Sequence, residues 1–97
     1  MILEAAMLQV KKNMEFDFEK SFEEAARIIS FMDGYISHSL NKCFEESNKY
    51  LLLVKWEKLE DHTKGFRNSS EYKQWKDLLH HFYEPFPVVE HFKEIEF

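Results

Sequence analysis

His80 and His81 are adjacent, and His91 follows them across the elbow Tyr83-Glu84-Pro85-Phe86-Pro87. Imidazole titrates near neutral pH, so it can accept a proton, pass one on or bind a metal. The spacing limits the choice. Neighbouring helical residues diverge by about 100°, so His80 and His81 cannot easily grip one ion, and neither HExxH nor a comparable ligand spacing occurs. Both fall outside the apolar stripe from Trp75 to Phe82. They are expected to decorate the end of a helix, where a partly protonated imidazole gains up to ~1 kcal/mol against the dipole, or for one of them to close a pocket rim. No metal site is expected.

His62 differs. It lies between Leu59 and Phe66 at helical spacing, on their inward face. It is either a buried histidine satisfied by a backbone carbonyl or a general base or hydrogen-bonding group for a substrate. His91 shares a strand face with Val89 and Ile95, and His38 one with Ile36 and Leu40. Each is expected to be a packed or interface residue, unless its face turns toward the helices and joins His62 around one cavity. Arg67 is the cation best placed beside His62 on the same short helix, although it points off the apolar side and a solvent-facing Arg is the alternative; Tyr83 is a phenol beyond the next helix. The candidate catalytic set is therefore His62 as base, with His91, Tyr83 or Arg67 to hold a developing negative charge. Phe66, Trp75, Phe82 and His38 are the candidate substrate-binding residues; plain core is the alternative for the aromatic ones.

These side chains need a scaffold. Ile2 to Val10 reads as a strand with two largely apolar faces: Ile2, Ala6, Leu8 and Val10 against Leu3, Ala5 and Met7. One-sided burial would alternate apolar with polar, so the second face also needs a cover. Asn13 is placed to cap a helix whose stripe is Phe18, Phe22, Ala25, Ile29 and Met32, stopped by Asp33-Gly34. Tyr35 to Phe44 and Lys49 to Glu57 read as strands around a Glu45–Asn48 turn, with "YLLLVKW" the central one. Leu59 to Phe66 is a short helix. Asn68 is then placed to cap a helix bearing Tyr72, Trp75, Leu78, Leu79 and Phe82 on one side. Pro85 and Pro87 forbid more helix, and Val88 to Phe97 alternates as a last strand.

The order β-α-β-β-α-β is that of a ferredoxin-like α+β sandwich with one extra short helix and a four-stranded antiparallel sheet. Helices cover one face of such a sheet. A second copy, packed sheet against sheet as a homodimer, is the simplest cover for the other.

Bulk composition narrows the partners. The 97 residues form one domain spanning 1–97. Ten Phe, four Tyr and two Trp suit a pocket lined by rings or a core completed by a partner. A formal charge of −5 without a basic patch argues against nucleic acid or an anionic membrane surface. Cys43 is alone, which excludes a disulfide framework. No apolar run spans a bilayer, and Glu4 interrupts the first one before a signal-peptide core forms. A reduced, soluble, cytoplasmic protein is expected.

The segments "MDGYISHSL", "YLLLVKWEKLEDHTKGFRNSSEYKQW" and "FYEPFPVVEHF" resemble the antibiotic biosynthesis monooxygenase family over essentially the whole chain. That resemblance implies a dimeric α+β barrel and a cofactor-independent monooxygenase, acting on a small quinol- or phenol-like aromatic substrate between helices and sheet. The alternative is a non-catalytic hydrophobic-ligand-binding or stress-response protein on the same scaffold. The haem-degrading branch of the family uses an Asn, a Trp and a His at positions matching Ala6, Phe66 and Lys76. With all three absent, the resemblance speaks against haem degradation.

Overall fold

The computed structural model describes residues 1–97. Strand β1 (Ile2–Gln9) leads into helix α1 (Glu15–Ile29), followed by the hairpin of β2 (Tyr35–Lys42) and β3 (Lys49–Trp56). A π-helical turn, Asp61–Phe66, precedes helix α2 (Ser70–Leu79); a 3-10 turn, His80–Phe82, extends it toward β4 (Val89–Phe92). The four strands form one antiparallel sheet in the order β2-β3-β1-β4. This is the expected ferredoxin-like α+β sandwich.

Strand alternation decides which residues can meet. The even residues Glu4, Ala6, Leu8 and Val10 face the helices and are buried, as are Tyr50, Leu52, Val54 and Trp56 of β3. Against them lie Phe18, Phe22, Ala25 and Ile29 of α1 and Trp75 and Leu79 of α2. Each fully buried large side chain contributes roughly 1.5–3 kcal/mol. Phe18 is the hub, with its ring 4.9 Å from Tyr50 and 5.7 Å from Phe82. On the opposite sheet face, Met7 and Phe92 are exposed, while Leu3, Ala5, Leu51 and Leu53 are half-buried by their neighbours alone.

Several boundaries differ from the sequence reading, each for a local reason. Asn13 does not cap α1. It takes a positive φ of 69°, and its backbone N–H donates to Glu15 Oε1, leaving Met14 in the cap position. α2 is capped by Ser69, not Asn68: Ser69 is extended at ψ 159° and its hydroxyl accepts the Tyr72 N–H. β2 stops at Lys42, and Phe44 is fully exposed. β4 ends at Phe92 rather than Phe97. Leu3 of β1 pairs with Phe92, so the neighbouring strand is exhausted and Lys93–Phe97 has no ladder to extend. Leu59 is exposed and does not share the inward face of His62.

Gly34 fixes the return from α1. Its φ is +82°, and a Cβ there would lie 2.0 Å from Asp61 Oδ2. That carboxylate accepts the Lys58 N–H, so the close approach also holds the start of the π-helical turn. At the other end of the molecule, Lys11 N–H donates to the Phe82 carbonyl and Glu84 N–H to that of Gln9. These bonds tie Tyr83 to the end of β1.

Candidate functional site

A cavity of about 330 Å³ lies between the helix-facing side of the sheet, the π-helical turn, α2 and the Tyr83–Val89 segment. Its floor is made by Glu4, Ala6, Leu8 and Leu52. Phe66 and Trp75 wall it, their rings 5.7 Å apart and edge-to-face at 81°. Arg67, Tyr72, His80, Tyr83 and Phe86 complete the lining, with Arg67 and Phe86 at the exposed rim. The volume is at the small end of the roughly 300–1,000 Å³ usual for small-molecule sites.

His62 reaches this space because the π-helical turn aims both it and Phe66 inward; they are 3% and 2% exposed. The imidazole stacks on the Trp56 indole, with centroids 5.6 Å apart and planes 22° apart. Its Nδ1 lies 2.8 Å from His91 Nε2, and its Nε2 is 3.4 Å from Glu4 Oε1. Glu4 Oε1 also accepts the Trp56 Nε1–H at 2.9 Å. Pairing of Glu4 with both Val54 and His91 across the sheet brings Glu4 and His91 to the same spot.

Two polar atoms in this chain keep free directions. Glu4 Oε2 has no protein partner, and His62 Nε2 makes no aligned hydrogen bond. Since no fully buried side-chain nitrogen or oxygen is left without a partner, neither atom is fully enclosed, and both residues line the cavity.

The 3.4 Å separation would suit an ion pair, but burial acts against both charges. It pulls His62 down from 6.5 to about 4, with Arg67 and His91 adding to the effect. Burial likewise raises Glu4, outweighing the Trp56 N–H and the Arg67 guanidinium, which both favour the carboxylate. Desolvation penalises a charged form most where water is most excluded, so His62 is a neutral base at neutral pH and the Glu4 carboxyl holds its proton to higher pH than an exposed glutamate does. Burial also lowers His80 and His91 and raises Tyr83, so at neutral pH the histidines are bases and the phenol keeps its proton.

Of the candidate residues, His62, Arg67, Tyr83, Phe66 and Trp75 converge on the cavity. His91 does not line it and connects only through His62. Phe82 is core, 3% exposed and packed against Phe18. His38 is bonded to the Tyr35 hydroxyl and packs its edge on Phe22, away from the cavity. A β-bulge at Tyr35/Ser37 turns Tyr35 and His38 inward and leaves Ile36 exposed, separating His38 from the face assigned to it with Ile36. His80 lines the cavity and is 6.0 Å from the Tyr72 ring, so it is a wall residue more than a helix-end decoration.

Glu4 and Trp56 are the members that sequence reasoning missed. The available signal was a single charge among the inward-facing even residues of β1. No group of three or more His, Cys, Asp or Glu side chains is arranged to hold a metal ion. In the Glu4–His62–His91 chain Glu4 lies on the Nε2 side of the His62 ring and His91 on the Nδ1 side, which makes a line rather than a chelate. No helix is long and apolar enough to cross a membrane.

The chain is similar to known proteins along its whole length. It is 64% identical over 95 residues to the uncharacterized protein YczJ of Bacillus subtilis (strain 168), covering 98% of this chain and 100% of that one. A candidate antibiotic biosynthesis monooxygenase from Bordetella bronchiseptica superposes with a TM-score of 0.93 at 27% identity, covering 98% of this chain and 97% of that one. SnoaB, a cofactor-independent oxygenase from Streptomyces nogalater, shares the fold with a TM-score of 0.78 at 15% identity, over 99% of this chain and 94% of its own. The model of the family described as "Antibiotic biosynthesis monooxygenase" matches residues 1–78, and with the βαββαβ fold and the YczJ likeness this means that the chain belongs to the antibiotic biosynthesis monooxygenase family.

Proposed function

We propose that the protein is a cofactor-independent monooxygenase that oxidises a small hydroxylated aromatic compound, quinol- or phenol-like, in the cavity beneath α2. The observation that carries this reading is His62. It is an uncharged imidazole with Nδ1 committed to His91 and Nε2 open to an aromatic-walled space. The fold shared with the oxygenase SnoaB supports it.

In such a reaction the substrate supplies the electrons. His62 Nε2 takes the hydroxyl proton, and His62 Nδ1–H donates toward His91 Nε2, spreading the charge gained. The anion left behind is held by the Arg67 guanidinium at the rim and by the Tyr83 hydroxyl, which keeps its proton. Phe66 and Trp75 hold the ring and exclude water. Electrons then pass from the activated ring to dioxygen.

The protein is also proposed to act as a homodimer through the open sheet face. Leu3, Ala5 and Leu51 there are only half-buried, and Met7 and Phe92 are exposed.

The test is oxygen uptake by the purified protein with a panel of quinols and naphthols, without added flavin or metal. Turnover that collapses in His62→Ala supports the reading. No uptake from any member of the panel overturns it; a retained aromatic ligand in native mass spectrometry would then favour a binding role.

A further inference from the structure

Oxygenation of a phenol needs more than a base. A proton must also return, to the oxygen atom that leaves as water. For α-naphthol, substrate plus dioxygen gives the naphthoquinone plus one water. The ring contributes a hydroxyl proton, a carbon-bound hydrogen and four electrons. One oxygen atom becomes the new carbonyl and the other becomes water. After the anion has added to dioxygen, the O–O bond of the peroxide breaks only as its outer oxygen is protonated.

We propose that Glu4 is the acid that protonates this leaving oxygen, through Oε2, in the reaction for which His62 is the base. The proposal rests on the oxygenase reading above. Four geometric facts carry it. Glu4 is 5% exposed yet lines the cavity. Its Oε1 is occupied by the Trp56 N–H, which leaves Oε2 as the oxygen free to bear the proton. Oε2 makes no hydrogen bond within the protein, and the residue that carries it lines the cavity. His62 Nε2, which gains the substrate's hydroxyl proton, is 3.4 Å from Oε1 of the same carboxyl group, and the proton returns to Oε2 by way of the cavity that both residues line.

The balance closes without another reductant. Glu4 gives one proton to the peroxide and recovers one from His62. The carbon-bound hydrogen leaves as a proton to His62 as the new carbonyl forms, and supplies the second hydrogen of the water. The groups that face Glu4 come from every element packed against it. Trp56 comes from β3, His62 from the π-helical turn, His91 from β4 and Arg67 from the end of that turn. Arg67 is the one cation among them, and burial outweighs it.

Two readouts test the role. In the first, the full-length protein carries isotope-labelled glutamate carboxyl carbons, and the Glu4 signal is assigned by its loss in Glu4→Gln. It is expected to keep the shift of a carboxylic acid at pH values where the other glutamates have ionised. A Glu4 signal that ionises with the rest overturns the proposal, whatever the turnover.

In the second, α-naphthol oxidation is followed in wild type, Glu4→Gln and Glu4→Asp. Glutamine retains an oxygen for the Trp56 N–H but has no proton to give. We expect kcat to fall ~100-fold with KM little changed, a hydroperoxide to accumulate, and aspartate to restore part of the rate. Wild-type turnover with an unimpaired Glu4→Gln removes Glu4 and leaves the oxygenase reading standing. No wild-type turnover on any phenol removes that reading, and the acid role with it. Circular dichroism and Trp56 fluorescence establish that each variant is folded.

Discussion

His62 Nδ1 and His91 Nε2 are 2.8 Å apart, one ring on the π-helical turn and the other on edge strand β4. One of the two nitrogens must carry the proton between them. If His62 accepts substrate protons at Nε2, its Nδ1 is the donor and His91 Nε2 the acceptor. The pair therefore fixes which His62 nitrogen is free for chemistry, as an orienting partner does for a catalytic imidazole.

His62→Ala is expected to lower kcat/KM for a quinol by ~100-fold or more, the usual contribution of a positioned base. His91→Ala should cost less, roughly tenfold, because the base survives without its orienting partner. Nitrogen NMR of the His62 ring separates the two effects. In wild type the proton resides on Nδ1; in His91→Ala the tautomers mix. A His62 ring protonated on Nε2 in wild type at neutral pH would sink the assignment.

The same burial predicts how stability responds to acid. Unfolded His62 takes up a proton below about 6.5, while the folded residue resists until about 4. Between these values the unfolded chain binds more protons, so stability falls as pH falls. His38, His80 and His91 are shifted the same way by burial and add to that slope. Glu4 acts in the opposite sense. Its folded value is raised above 4.5, so its contribution is lost as pH rises through that raised value.

Melting temperature should therefore drop from about pH 7 to about pH 5. The drop should be shallower in His62→Gln and steeper in Glu4→Gln. His62 alone accounts for on the order of 1–3 kcal/mol across its window, after allowance for solvent screening. Parallel pH–Tm curves for wild type and His62→Gln would refute this account.

Capping offers a test that is independent of function. Ser69 accepts the Tyr72 N–H at 3.1 Å and stands where α2 begins, beside the turn that carries His62 and Phe66. Ser69→Ala should cost ~1 kcal/mol, a fall in Tm of roughly 4–8 °C for a domain of this size. Asn68→Ala should be close to neutral. The reverse ranking in thermal unfolding would show that Asn68 is the cap after all.

Legibility in the sequence followed the range of the interaction. The π-helical turn put His62 and Phe66 inward through a spacing of four residues, and that relation is visible in one chain segment. Glu4 could not be singled out in that way. Its partner Trp56 is 52 residues away, and their contact depends on the β1–β3 register. His38 was assigned a face by strict alternation, which one inserted residue at Tyr35/Ser37 is enough to invalidate. Val88–Phe97 alternates as a strand should, yet only Val89–Phe92 has a neighbour to pair with. His80 misled for another reason: the 3-10 turn after Leu79 changes the angular step on which the helical stripe was drawn.

The open sheet face carries the last prediction. Leu51 pairs with Met7 and Leu53 with Ala5 on the side turned away from the helices. Met7 and Phe92 are 48% and 49% exposed there. An apolar patch of this kind on a small domain marks an association surface. Sedimentation at micromolar concentration should give a particle of about twice 11.8 kDa. Leu51→Glu, which places a charge at the centre of the patch and leaves the helix-facing residues untouched, should shift the protein to monomer. It should also lower Tm in a concentration-dependent manner, because association adds to stability by mass action. A wild-type protein that sediments as a well-folded monomer would rule the dimer out. If Leu51→Glu stays dimeric, the two copies join through another surface, and the β1–β3 face needs a different explanation for its apolar side chains.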